Sequence, residues 1–133
     1  MPKVARGLAC ADFDRDGDVD LLITTNQGSA YLYRSDLGSG NRSIRLRLTG
    51  TKSNRDAIGA LVRVEGPDGV QSRRVKSGSS YLSQSELPVT FGLGKREIAN
   101  RVVIEWPSGV TQEFKNVGAG SYRVTEGSTP VTE

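Results

Sequence analysis

Residues 62–70, VRVEGPDGV, decide the fold class because they place two short runs rich in valine on either side of a tight turn. In the turn at 66–69, GPDG, proline presets φ for the first central position, and the second glycine supplies a left-handed exit. The flanking runs 61–65 and 70–75 therefore predict the two strands of a β-hairpin. Residues 102–110, VVIEWPSGV, repeat the pattern, and shared hairpin chemistry explains this similarity better than an internal repeat does.

The rest of the chain also alternates short apolar runs with clusters of glycine, asparagine, aspartate and serine. Few windows place apolar residues at helical spacing, so we predict no helix. In 43–49, Ile44, Leu46 and Leu48 share one face, which is typical of a half-buried antiparallel strand. The pattern predicts an all-β fold, either an antiparallel β-sandwich or a small barrel. Further strands are predicted at 21–25, 30–33, 89–92, 101–106, 110–114 and 122–125.

The composition excludes several classes of protein. The chain has 133 residues, which suits one domain, or one domain with a small appendage. A single cysteine excludes an internal disulfide. The absence of histidine argues against a zinc site and removes any serine–histidine or cysteine–histidine nucleophile pair. No apolar run approaches the ~20 residues of a membrane helix, and residues 1–14 lack the apolar core of a signal peptide.

Charge is distributed unevenly along the sequence. The first 36 residues carry a net charge of −2, and the remainder carries +5. This mild basic excess argues against nucleic-acid binding. An acidic polysaccharide or another polyanion is nevertheless an alternative partner, with Arg73 and Arg74 as candidate contacts. Solvated strand faces are the competing interpretation of these arginines.

Five aspartates stand at alternate positions in residues 12–20, DFDRDGDVD. Like charges at this spacing repel one another, so the run requires a compensating cation. Oxygen ligands at positions 1, 3, 5 and 9, with glycine at position 6, are typical of a chain that wraps calcium. The predicted metal ligands are Asp12, Asp14, Asp16 and Asp20 through their side chains and Asp18 through its backbone carbonyl.

This loop differs from an EF-hand. Position 12 is Ile23 rather than a bidentate glutamate, and the run 21–25 follows directly as a strand rather than a helix. Calcium is favoured over Mg²⁺, which demands a stricter octahedron and keeps its waters. Because no general base or nucleophile stands nearby in the sequence, we interpret the metal as structural. The alternative is a solvated acidic turn without metal.

Two family resemblances cover most of the chain. Residues 8–36, LACADFDRDGDVDLLITTNQGSAYLYRSD, resemble an FG-GAP/VCBS-type repeat, the calcium-loop unit of integrin-like β-propeller blades. Residues 41–127 resemble the ASPIC/UnbV domain, which commonly follows such repeats. The second resemblance rests on 50–60 (GTKSNRDAIGA), 78–86 (GSSYLSQSE), 91–94 (FGLG) and 106–109 (WPSG).

These resemblances imply how the chain is organised. They predict a partial propeller-blade hairpin with a calcium loop at 1–36, a linker at 37–42, an ASPIC/UnbV-like β domain at 43–127 and a frayed tail at 128–133. A propeller needs roughly 4–8 blades around its axis. The lone blade is therefore expected to pack against neighbouring blades of a longer parent protein, or against another copy of the chain.

The resemblance also implies a function. It predicts a non-enzymatic, calcium-binding module of a larger extracellular, periplasmic or cell-surface protein that acts in adhesion, scaffolding or ligand recognition. We assign no catalytic residue. The polar segment 78–86 offers Tyr81, Ser83 and Gln84 as contacts for a protein or glycan ligand. The competing interpretation is an irregular loop whose Tyr81 and Leu82 fill the core.

A sugar-processing enzyme is a further alternative function. It requires two carboxylates about 5–9 Å apart in a cleft, for which Glu65 and Glu105 are available.

Overall fold

The computed structural model describes residues 4–36 and 40–133. All secondary-structure elements within these residues are β-strands. The chain divides into two compact units. Unit 1 comprises Met1–Ser39 and Ser77–Glu86, and unit 2 comprises Gly40–Lys76 and Leu87–Glu133. Residues 37–39 of the predicted linker lie outside the described residues.

The strands are numbered here in chain order. They are β1 (Ala5–Ala11), β2 (Asp20–Thr25), β3 (Tyr31–Tyr33), β4 (Arg42–Thr49), β5 (Leu61–Gly66), β6 (Gly69–Arg74), β7 (Val89–Gly94), β8 (Ile98–Glu105), β9 (Thr111–Gly118), β10 (Gly120–Thr125) and β11 (Val131–Thr132). The described part of the chain has no helix with the length and hydropathy needed to cross a membrane.

Unit 1 contains a three-stranded antiparallel sheet in the order β1-β2-β3. β1 was not predicted, because its residues are mostly small (ARGLACA) and show little alternation. The predicted turn after β2 is present: Gln27 has a φ of 55°, and the Thr25 hydroxyl donates to the Ser29 carbonyl at 2.9 Å.

Unit 2 contains two four-stranded sheets, in the orders β11-β10-β4-β7 and β6-β5-β8-β9. Their inner faces share one apolar core. Ile44 and Phe91 from the first sheet and Val62 and Ile104 from the second are all 0% exposed. The predicted all-β fold class is confirmed with a sandwich-like arrangement, and the described strands form no closed barrel.

The two hairpins predicted from turn chemistry are both present in unit 2. β5 and β6 pair antiparallel up to Gly66 opposite Gly69, and Gly69 has a φ of 124°. β8 and β9 pair around the second turn, where the Trp106 N–H donates to the Val110 carbonyl at 2.8 Å. Local sequence was sufficient for these elements because each turn lies between strands that are adjacent in the chain.

Three details of unit 2 differ from the sequence prediction. β4 is antiparallel to β7 but parallel to β10, because residues 50–119 provide a connection long enough for a crossover. Arg45 lies at a position expected to face solvent but is only 9% exposed. The predicted frayed tail contains β11, which pairs antiparallel with β10.

Candidate metal centre

The acidic loop joins β1 to β2 in unit 1, and the strand after it is the one predicted at 21–25. Gly17 has a φ of 97° and allows the tight turn that was expected there. Two aspartate side chains shape the rest of the loop. Asp14 Oδ1 accepts the Asp16 N–H at 3.3 Å, and Asp16 Oδ1 accepts the Asp18 N–H at 2.9 Å.

Three carboxylates converge where this loop meets the sheet. Asp12, Asp14 and Asp20 each offer an oxygen, and these oxygens all lie within 4.8 Å of one another. Two oxygens that bind one Ca²⁺ at about 2.3–2.6 Å are at most about 5 Å apart, so the spacing fits a shared cation. Asp12 and Asp20 are only 5% and 2% exposed. Solvent therefore screens the repulsion between them poorly.

The Asp20 side chain is held in place from two directions. Its Oδ2 accepts the Phe13 N–H at 3.0 Å, and its Oδ1 accepts the Ser35 N–H at 2.8 Å. These bonds tie the start of the loop and the residues after β3 to the same carboxylate. Fixed orientation of this kind lowers the entropy lost when a ligand group binds a metal.

Within the described residues, the Asp16 carboxylate is not part of the converging group, and the binding of a cation by the Asp18 backbone carbonyl stays a prediction. The Asp16 carboxylate is occupied with the backbone of the loop, and Asp18 is half-buried farther along the loop. A cation at the converging oxygens also has a competitor, since Arg34 Nε lies 3.9 Å from Asp14 Oδ2. Arg34 is closer to Asp36, at 2.8 Å, so its charge is shared.

A non-strand segment from elsewhere in the sequence covers the outer edge of β1. Residues 77–86 separate β6 from β7 in the chain, yet they belong to unit 1. Three backbone N–H groups at alternate positions, two in β1 and one in the residue after it, donate to side chains of this segment. The pairs are Leu8 with Ser80 Oγ at 3.1 Å, Cys10 with Ser85 Oγ at 3.0 Å and Asp12 with Glu86 Oε1 at 3.0 Å.

The same segment carries two predicted ligand contacts, Tyr81 and Ser83. Tyr81 is 57% exposed and Leu82 is 91% exposed, so the interpretation that they fill the core is wrong. Left-handed backbone at Ser80 and Leu82, with φ of 70° and 45°, turns these side chains outward. The Arg6 guanidinium carbon lies 5.7 Å from the centre of the Tyr81 ring, and the Ser83 hydroxyl donates to the Tyr81 carbonyl at 2.8 Å.

Gln84, the third predicted contact in this segment, lines an apolar groove in unit 1. Phe13, Leu22 and Leu32 are among its apolar lining residues, and Asp20 lines it as well. The groove therefore adjoins the converging carboxylates.

Arg73 and Arg74, the predicted polyanion contacts, are engaged with backbone carbonyls of unit 2. Arg73 Nε donates to the Thr90 carbonyl at 2.7 Å, and Arg74 Nη1 donates to the Gly59 carbonyl at 2.8 Å. Both retain charge for long-range attraction, but these donors already have acceptors.

A different group of arginines meets on the first sheet of unit 2. Arg47 and Arg123 are direct neighbours on the parallel strands β4 and β10. Both contact the Glu133 carboxylate, with Arg47 Nε at 3.3 Å and Arg123 Nη2 at 3.1 Å from the same oxygen. Arg55 and Thr49 line the groove beside them. This grouping was not predictable from the sequence because it depends on strand register.

The two carboxylates available for glycoside hydrolysis are each paired with an arginine. Glu65 accepts from Arg101 at 3.2 Å, and Glu105 pairs with Arg63.

The sequence analysis also missed a buried carboxylate in unit 2. Glu126 is 5% exposed, and its Oε2 accepts the N–H groups of Thr51, Lys52 and Ser53 at 2.8, 2.8 and 2.7 Å. The Ser108 hydroxyl donates to its Oε1. Burial raises the pKa of Glu126, but the hydrogen bonds from Ser108, Ser53 and Thr51 outweigh it and lower the pKa from 4.5 to about 2. We interpret this residue as structural.

Comparison with known protein families identifies the chain's relatives. A family model described as "ASPIC and UnbV" matches residues 50–131, which is more than half of the chain. The chain belongs to the ASPIC and UnbV family. The match confirms the second resemblance found in the sequence, and it lies C-terminal to the acidic loop.

Three relatives share the name "Cartilage acidic protein 1". The human protein is 33% identical over 118 residues, which cover 86% of this chain and 17% of the relative. The Xenopus tropicalis protein is 34% identical over 107 residues, with 77% and 16% covered. The Mus musculus protein is 33% identical over 107 residues with the same coverage. This member of the ASPIC and UnbV family thus spans about one sixth of the length of these curated relatives.

Proposed function

We propose that this chain is a non-enzymatic, calcium-binding interaction module of a larger extracellular or cell-surface protein. The observation that carries the proposal is the convergence of three carboxylate oxygens within 4.8 Å, two of them on buried side chains. Residues 1–36 then form the FG-GAP/VCBS-type repeat that their sequence resembles. The name of the relatives includes a tissue, cartilage, which supports an extracellular location.

The exposed side chains of the unit 1 sheet favour a partner with an apolar surface. Leu21 lies opposite Tyr33 on one face, and Leu22 lies opposite Leu32 on the other. These side chains are 38–54% exposed. An antiparallel sheet with one solvated face is polar on that face, so apolar residues on both faces favour a sheet stacked between others. Neighbouring blades of a parent protein, or another copy of the chain, fit this requirement.

Calcium is expected to stabilise unit 1 against thermal unfolding. A ligand at about 100 times its dissociation constant adds about 2.7 kcal/mol to the free energy of unfolding. A melt of the whole chain in millimolar CaCl₂ should therefore show a higher melting temperature than a melt with chelator, and MgCl₂ should give a smaller rise. Calorimetric titration with CaCl₂ provides the dissociation constant.

Variants assign this effect to the loop. We expect Asp14→Ala to abolish the calcium-dependent rise because it removes one of the three converging carboxylates. Asp16→Ala should weaken calcium binding by loosening the loop. Asp68→Asn, an exposed carboxylate in the turn between β5 and β6, serves as the control with unchanged response. The proposal would be refuted if calcium left the melting temperature of the wild-type chain unchanged and the calorimetric titration showed no heat of binding.

Polyanion binding is a second candidate function, favoured by the arginine pair of unit 2. Arg47 and Arg123 already hold one carboxylate, that of Glu133. Arg55 lines the same groove, together with the hydroxyl-bearing Thr49 and Thr125. Guanidinium groups bind carboxylate and sulfate through directed N–H donors. An acidic polysaccharide would therefore displace Glu133 from these two arginines and gain Arg55 beside them.

Heparin is a suitable probe for the second function. We expect its binding to weaken steeply with added salt, because these guanidinium groups are exposed and salt screens exposed charges strongly. The double variant Arg47→Gln/Arg123→Gln should bind about tenfold more weakly, equivalent to ~1.4 kcal/mol. Arg42→Gln is the matched control, since Arg42 lies on the same strand and pairs with Glu97. Equal affinity of the double variant and the wild type would exclude this groove.

A further inference from the structure

The last residue of segment 77–86, Glu86, contacts the backbone of Asp12, which is the first aspartate of the acidic loop. Glu86 Oε1 accepts the Asp12 N–H at 3.0 Å, and the Glu86 N–H donates to the Cys10 carbonyl at 3.0 Å. This pair of bonds clamps the backbone at the end of β1. Because Asp12 is only 5% exposed, its carboxylate has little freedom to move unless its backbone moves as well.

Contacts with β1 also hold the rest of the segment in an unfavourable backbone conformation. Leu82 has a φ of 45°, which is rare for a bulky residue. The Ser79 N–H donates to the Ser83 carbonyl at 3.0 Å within the segment. At Gly7, an added Cβ would lie 2.5 Å from Ser83 Oγ, so only glycine lets β1 and the segment approach this closely. A strained segment that is held by contacts with β1 is sensitive to the loss of those contacts.

We propose that Glu86 is a positioning residue for the calcium loop, and that calcium binding is coupled to the order of residues 77–86. Calcium fixes Asp12, and Asp12 holds Glu86 through its N–H. The segment in turn presents Tyr81 and Leu82 to solvent, so calcium also restricts the motion of these exposed side chains. The inference rests on the proposed calcium function and adds its regulation. Coupling is reciprocal, so the segment raises calcium affinity by the same factor.

Calcium titration of two Glu86 variants tests the positioning role. Glu86→Ala removes the acceptor for the Asp12 N–H, and we expect the calcium dissociation constant to rise about tenfold, as is typical when a partner that orients a metal ligand is lost. Glu86→Gln keeps an oxygen acceptor and should remain within about threefold of the wild type. Glu97→Ala, which removes an exposed carboxylate from unit 2, is the charge control. If the glutamine variant is as weak as the alanine variant, Glu86 acts through its charge and the positioning role is wrong.

Amide hydrogen exchange tests the coupling from the other side. In the whole wild-type chain, calcium should slow exchange at the Ser79 and Glu86 amides about tenfold relative to chelator, and Asp14→Ala should remove that protection. Calcium binding with unchanged exchange at both amides would overturn the coupling while leaving the proposed function intact. A wild-type chain that does not bind calcium would overturn both, so the two failures are distinguishable.

Discussion

Replacing Glu126 with alanine is expected to lower the melting temperature of unit 2 by roughly 5–10 °C. The substitution leaves the N–H groups of Thr51, Lys52 and Ser53 without the carboxylate oxygen they share. The Ser108 hydroxyl loses its acceptor as well. These hydrogen bonds are part-buried, and donors left without an acceptor are more destabilising than the loss of one average hydrogen bond. Here one residue accepts several of them.

Glu126→Gln distinguishes the lost acceptor from the lost charge. Its carbonyl oxygen accepts as before, but its NH₂ group faces donors where the second carboxylate oxygen was. We therefore expect the glutamine variant to melt between the alanine variant and the wild type. Glu97→Ala, at an exposed ion pair of the same unit, should melt within about 1 °C of the wild type. An alanine variant with that same small change would contradict the structural role.

The pH dependence of unfolding provides a second readout of the same carboxylate. The pKa of Glu126 is lowered to about 2 in the folded chain, against 4.5 for an ordinary glutamate. A lowered folded-state pKa stabilises the protein above the unfolded-state pKa, and this stabilisation disappears as the pH falls to the folded-state value. Wild-type stability in urea should decline between pH 4.5 and about 2, and the decline should be smaller in both Glu126 variants. Parallel curves for wild type and variants would contradict the assignment.

Turn chemistry and charge spacing were the parts of this molecule most open to prediction. The hairpin at 62–70 was predictable because proline and glycine set its turn within four adjacent residues. The alternating aspartates at 12–20, with Gly17 among them, predicted a tightly turned loop before the strand at 21–25 for a similar reason, and the cation itself stays a prediction. Which of them converge was not predictable, because Asp14 and Asp16 each accept an N–H of the loop, yet only Asp14 also joins the converging oxygens.

The features that could not be predicted from the sequence depend on contacts between residues far apart in the chain. β1 has small residues and a weak pattern, and side chains more than seventy positions away satisfy its outer N–H groups. The donors to Glu126 are equally distant in the chain. Arg47 and Arg123 meet only because β4 and β10 run parallel in one register. No window of sequence contains both partners of such contacts, so periodicity and motif spacing do not indicate them.

Replacing Asp20 with alanine is expected to weaken calcium binding at least about 100-fold and to destabilise unit 1 even in chelator. The first effect follows from losing one of three converging carboxylates, and 100-fold corresponds to about 2.7 kcal/mol. The second effect follows from the Phe13 and Ser35 N–H groups, which both donate to this carboxylate. Because Asp20 is only 2% exposed, leaving these donors unsatisfied should lower the free energy of unfolding by about 1–3 kcal/mol.

Asp14→Ala is the matched comparison that separates binding from scaffolding. The Asp14 side chain is 26% exposed, and its ion contact with Arg34 spans 3.9 Å, so its loss should weaken calcium binding while changing stability in chelator by less than about 1 kcal/mol. Asp20→Asn keeps one acceptor oxygen and should retain part of the stability in chelator but little calcium affinity. If Asp14→Ala and Asp20→Ala are equally stable in chelator, Asp20 is only a ligand, and the loop is not anchored through its carboxylate. If Asp20→Ala binds calcium as the wild type does, the converging oxygens are not the site.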